Sequence, residues 1–146
     1  MSYLPHLFAV LVGAGLTIQV GMNATVRIAL GSPVIATIVN FGVGLAALLL
    51  LAVGTHARIV PGSVAAVPAW AWLGGLLGAL FVASTTVLGP RLGAAALLAL
   101  TLFGQMLAAL IVDHYGAIGF PHNPITLTKL AGAVLLVLGV ILILKR

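Results

Sequence analysis

Apolar residues run through this chain in five stretches, each broken by glycine, proline or a short polar connection. They cover about Leu7 to Leu30, Pro33 to Val53, Trp70 to Leu88, Gly93 to Val112 and Ile125 to Leu144. A helix needs about 20 mostly apolar residues to cross a bilayer, and each run comes close to that length. The breaks have the chemistry of helix ends. In "GSP", Ser32 is an N-cap candidate and Pro33 suits the first helical position. "GTHARIVPGSVAAVP" is rich in turn formers. Gly89-Pro90 closes the third run, and "DHYGAIGFPHNP" is the longest polar connection. Lipid offers the backbone no hydrogen-bond partners, so helix is the expected state of each run. The runs are too long and alternate too poorly to be barrel strands. The pattern predicts an all-α polytopic membrane protein, a bundle of five transmembrane helices in a single membrane domain over residues 1–146, with no linker that divides it.

Trp70 and Trp72 open the third run, where amphipathic rings favour the membrane interface, and Tyr3 and Tyr115 stand at comparable boundaries. The 18 glycines suit helices that approach closely, since packing drives association in lipid. Gly74 and Gly78 form a GxxxG, and Gly132 and Gly139 lie one heptad apart. Both pairs predict tight packing without naming a partner.

One polar line cuts across the first run. In "GLTIQVGMNATVRIAL", Gly15, Gln19, Asn23 and Arg27 recur every four residues. A step of four turns a helix about 40° past a full turn, so the four lie on one slowly drifting stripe. Asn40 adds an amide in the second run and Gln105 adds one in the fourth. Polar groups at membrane depth are costly and usually face a bundle interior or a watery cavity. Two readings follow. The amides brace helices to one another through hydrogen bonds, or Gln19, Asn23, Asn40 and Gln105 line a path for a solute. Arg27 has two readings as well: it snorkels to the headgroups, or it attracts anionic solutes on that path.

Composition narrows the function. The chain of 146 residues is 63% hydrophobic and 5% charged, against roughly 25% charged in soluble domains. Its formal charge is +5, but the six basic residues are scattered between apolar runs, which is no nucleic-acid footprint. Cysteine is absent, so there is no disulfide, thiol nucleophile or cysteine-based metal site. The single acid, Asp113, is either a solvated boundary carboxylate or the one side-chain carboxylate available for proton coupling. One acid cannot supply a catalytic carboxylate pair, and there is no HExxH, GxSxG or P-loop. The chain therefore reads as neither an enzyme nor an ATP hydrolase, and no cofactor is implied. His114 and His122 share a loop with that acid and make a poor metal set. His6 and His56 read as interfacial. The start, "MSYLPHLFAVLVGAG", lacks a basic n-region and reads as a retained membrane helix rather than a signal peptide. "NAT" at Asn23 matches a glycosylation sequon by chance, inside an apolar run.

The opening "GAGLTIQVGMNATVRIALGSPVIATIVNFGVG" resembles that of the YdcZ-like proteins, small bacterial inner-membrane exporters of the drug/metabolite transporter superfamily. The shared pattern places Gln19, Asn23, Pro33, Asn40, Phe41 and Gly44. "GPRLGAAALLALTLFGQMLAALIVDHYGAIG" is similar to that family's fourth span, with Gly104-Gln105 and an Asp-x-x-Gly at Asp113 and Gly116. "TLTKLAGAVLLVLGVIL" resembles its last span. The resemblance covers nearly the whole chain. It implies a transporter and names no cargo. The ten-span EamA-type relatives hold two five-span repeats, and this chain resembles one. It departs from the small multidrug resistance proteins, which carry a glutamate in the first span; no acid stands there in this chain.

The leading expectation is a secondary transporter or exporter of small metabolites or drugs, in the bacterial inner membrane, working by alternating access. The alternative is a structural or regulatory membrane subunit without transport of its own. The lipid bilayer and a small solute are the expected partners. A second copy, or a paralogous chain, would supply the other repeat. Five spans put the termini on opposite sides. Arg58 and Lys129 fall on one side; Arg27, Arg91, Lys145 and Arg146 fall on the other, which the positive-inside rule puts in the cytoplasm. A charge bias this weak admits an antiparallel dimer.

Overall fold

The computed structural model describes residues 3–145. Arg146, one of the charges in the orientation count, lies outside the described residues. Every regular element is helical: α1 (Leu4–Leu30), α2 (Pro33–Gly54), a single turn α3 (Ser63–Ala66), a 3-10 turn (Ala69–Trp72), α4 (Leu73–Leu92), α5 (Ala94–Tyr115) and α6 (Leu127–Leu144). Among the described residues there is no strand. Five helical segments are long and apolar enough to cross a membrane, the third counted from Ala69 to Leu92.

The described residues form two compact units, 3–91 and 92–145. The first holds a hairpin of α1 against α2. Gly31, at φ 69°, takes the left-handed conformation that ends α1, a position a Cβ would strain. Ser32 then caps α2, its hydroxyl accepting the Ile35 N–H at 3.3 Å, and Pro33 starts the helix. The expected cap and start are both present, and the connection is two residues long. At the far end of α2, Thr55 returns its N–H and hydroxyl to the Leu51 carbonyl, each at 2.8 Å. In the same unit α4 nears α2, where a Cβ on Gly78 would stand 3.9 Å from Phe41 Cζ.

Two expectations are corrected. The third span does not stop at Leu88: α4 continues through Pro90 to Leu92. Proline removes the bond that its own N–H would give to the Thr86 carbonyl and its ring crowds that carbonyl, yet α4 carries it two residues before its end. The break comes instead at Gly93, with φ 83° and ψ 155°. Of the four glycines expected to pack, Gly78 alone nears a neighbour within its unit, through Phe41. A Cβ at Gly74, Gly132 or Gly139 would meet nothing within 4 Å. The packed surfaces run through other small residues, Ala24, Ala36 and Thr37 in the first unit and Ala99 and Ala133 in the second.

The second unit is the hairpin of α5 against α6. Gly116, at φ 60°, ends α5 by a Schellman arrangement in which the Ala117 N–H reaches the Val112 carbonyl at 3.0 Å. Thr126 caps α6 by accepting the Lys129 N–H at 3.2 Å. The buried side chains are Leu97, Ala99, Ala133 and Val140. Most large apolar side chains of both units face outward, as a surface solvated by lipid requires.

Candidate functional site

In a lipid-solvated helix each side-chain donor must find a partner inside the protein or carry a cost. The threonines find theirs by folding back on their own helix. Thr37 Oγ1 donates to the Pro33 carbonyl at 2.8 Å, Thr86 to Val82 at 2.7 Å and Thr101 to Leu97 at 2.9 Å. A hydroxyl one bond from Cβ reaches the carbonyl four residues earlier. A longer amide or guanidinium carries several donors that its own helix cannot satisfy.

Those are the groups left over in the first unit. Asn23 is only 4% exposed, and its side chain makes no hydrogen bond. Asn40 is half-buried and its Nδ2 is covered without a partner; the same holds for Nε of the half-buried Arg27. The tight hairpin sets their depth. Asn23 stands eight residues before Gly31 and Asn40 eight after Ser32. At about 1.5 Å of rise per residue, both lie roughly 12 Å from the turn, at one level of the hairpin. Arg27 lies one helical turn nearer the connection.

The stripe is not uniform. Gln19 is exposed, Asn23 buried and Arg27 half-buried. The 40° drift of a four-residue repeat carries Gln19 off the face that α2 covers. Gln105 belongs to the second unit, where its side chain is exposed and makes no hydrogen bond. The sequence reading missed three buried hydroxyls, those of Thr37, Thr85 and the fully buried Thr86. "STT" at positions 84–86, polar and placed just ahead of Gly89-Pro90, was the available signal.

Asp113 sits in the last turn of α5, its carboxylate 3.8 Å from Lys129 Nζ at the start of α6. Lys129 also donates to the carbonyls of Asn123, at 3.0 Å, and Pro124, at 3.3 Å. The Asp113 carbonyl accepts the Asn123 N–H at 2.8 Å, and His114 Nδ1 accepts the Ile125 N–H at 3.3 Å. His122 stacks at a tilt with His114, ring centres 6.4 Å apart. No group of three potential metal ligands occurs among the described residues.

The order of these features along the chain matches a known family over its whole helical length. The family described as "Putative inner membrane exporter, YdcZ" matches residues 4–142, from the first residue of α1 to within two residues of the end of α6. The chain belongs to this family. No curated protein and no solved structure matches it. As a YdcZ-family member with five membrane-capable helices, it is a multi-pass protein of the bacterial inner membrane. The family's description is that of an exporter, which is not a class of enzyme.

Proposed function

We propose that this YdcZ-family protein is a secondary transporter that exports small metabolites or drugs by alternating access. Its path runs along Gln19, Asn23 and Asn40 in the α1–α2 hairpin. One observation carries the reading: buried Asn23 and half-buried Asn40 stand level in the α1–α2 hairpin, no protein group accepts from either amide, and Asn40 Nδ2 is fully covered. Amides that brace helices would hydrogen-bond across the pair, and these do not. Donors held ready at membrane depth suit a polar solute that supplies the missing acceptors.

Transporter sites typically form between two structural repeats, and this chain has the five spans of one. A second copy or a paralogous chain completes the path in this reading, and the weak charge bias allows the two copies to insert in opposite senses.

The test is flux through proteoliposomes made with Gln19→Leu and Asn23→Leu. Both variants should insert and fold like the wild type and lose transport. Normal flux in both would return these amides to bracing. A wild type that moves no solute while forming a stable complex with another membrane protein would make the chain a structural or regulatory subunit. Cross-linking in native membranes, with two-sided labelling of one introduced cysteine, tests the dimer and its sense.

A further inference from the structure

Arg27 presents a charge problem that the rest of the chain does not solve. Its guanidinium makes no hydrogen bond, and Nε is covered. A guanidinium stays protonated in a protein, and a covered, unpaired charge is costly. Snorkelling brings the outer nitrogens toward the headgroups and leaves Nε–H without an acceptor. The negative end of α1 favours the charge but offers Nε no lone pair at this geometry. The only acidic side chain of the chain is Asp113, and Lys129 already holds it at 3.8 Å. A second copy would bring the same single acid, engaged in the same way. Among the described residues no carboxylate is left to neutralise Arg27, and a bound anion would supply the counter-charge.

Beside Arg27, one turn deeper, stand the Asn23 and Asn40 amides, also unpartnered. A guanidinium fork with amide donors beyond it matches an oxyanion, whose oxygens accept several N–H groups at once. We infer that Arg27, Asn23 and Asn40 form an oxyanion site that holds a carboxylate or phosphate group. Its occupant is the acidic group of the transported solute, and this assignment rests on the path proposed above. The other source of the same chemistry is the phosphate of a lipid headgroup.

The experiment uses the full chain purified in dodecyl maltoside, whose headgroup carries no phosphate. Sodium benzoate and inorganic phosphate are titrated against sodium chloride of equal ionic strength, with thermal unfolding as the readout. At least one of the two should raise Tm of the wild type above the chloride control. Arg27→Gln should abolish the rise, Arg27→Lys should keep part of it, and Arg91→Gln should keep all of it. If Arg27→Gln does not fold, Asn40→Leu serves as the second variant and should weaken the rise. Native mass spectrometry separates the sources. A phospholipid retained by the wild type and lost in Arg27→Gln, with no response to benzoate or phosphate, supports the site and assigns it to a headgroup. No response and no retained lipid overturns the site, as does an equal response in Arg27→Gln. The path stands or falls separately. If Gln19→Leu and Asn23→Leu lose flux while Arg27→Gln still responds to the anion, the path survives and the oxyanion site does not.

Discussion

The two hairpins of this protein are built from the same material and treat polar groups in opposite ways. In α5–α6 most polar side chains gather at the rim and are used there, while mid-helix Thr101 bonds its own helix and Gln105 is exposed rather than packed. Asp113 meets Lys129, His114 accepts the Ile125 N–H, and Thr126 caps α6. The buried side chains behind them are purely apolar. In α1–α2 the connection is only two residues long, and backbone and Ser32 satisfy it. The amides and guanidinium lie on the packed face below, without partners. A polar group satisfied at a helix end is explained by folding alone. One left unsatisfied at membrane depth works against folding, so its reason is sought in what the protein binds.

Removing an unsatisfied amide should therefore harm function and spare stability. Asn40→Leu deletes the covered Nδ2 donor. An unmade hydrogen bond to the solute, at about 1 to 3 kcal/mol, corresponds to a roughly five- to 150-fold loss of flux. Unfolding in detergent should show the variant no less stable than the wild type. Thr101→Val, in the other hairpin, removes a hydroxyl that only serves its own helix and should leave flux unchanged. Destabilisation by Asn40→Leu with normal flux would make that amide a brace and erase the contrast.

The turns give a second comparison, through stability. Gly31→Ala forces a Cβ onto φ 69° with nothing else nearby, and should cost about 1 kcal/mol. Gly116→Ala has φ 60° and also drives a Cβ to 3.1 Å from the His122 backbone. The loop must then shift, and the cost should exceed about 2 kcal/mol. Equal losses would show that the α5–α6 loop gives way freely and is not held by its rim contacts.

Much of this was legible from the sequence because lipid imposes a strict rule on the backbone. The five spans, the Ser32–Pro33 start and the amide stripe all follow from hydropathy and spacing. The misses are those of tertiary context. Pro90 stays inside α4 although it loses one hydrogen bond and crowds a carbonyl there, and only geometry shows how near the end it falls. Gly74, Gly132 and Gly139 have the spacing of packing motifs, yet the buried small residues of the two hairpins are alanine and threonine, which spacing alone does not distinguish. Asp113 and Lys129 lie sixteen positions apart, and only the folded loop brings them together. Burial of Asn23 and exposure of Gln19, four residues apart on one stripe, depend on where α2 crosses.

Asp113 provides the smallest effect and the sharpest check. The sequence leaves it open as a proton carrier, since no other side-chain carboxylate exists. In the fold its carboxylate and Lys129 are each about one-third exposed, at 33% and 28%. An ion pair so open to solvent contributes about 0 to 1 kcal/mol. If it serves only to hold the rim, Asp113→Asn and Lys129→Met should each cost about 0.5 kcal/mol, since each breaks the same pair. Lys129→Met should cost slightly more, because Lys129 also holds the Asn123 and Pro124 carbonyls. Both variants should then keep the pH dependence of transport. A flux profile flattened by Asp113→Asn and kept by Lys129→Met would mean that the carboxylate itself carries a proton. In that case a satisfied rim group would be functional, and the division between the two hairpins would fail at its clearest point.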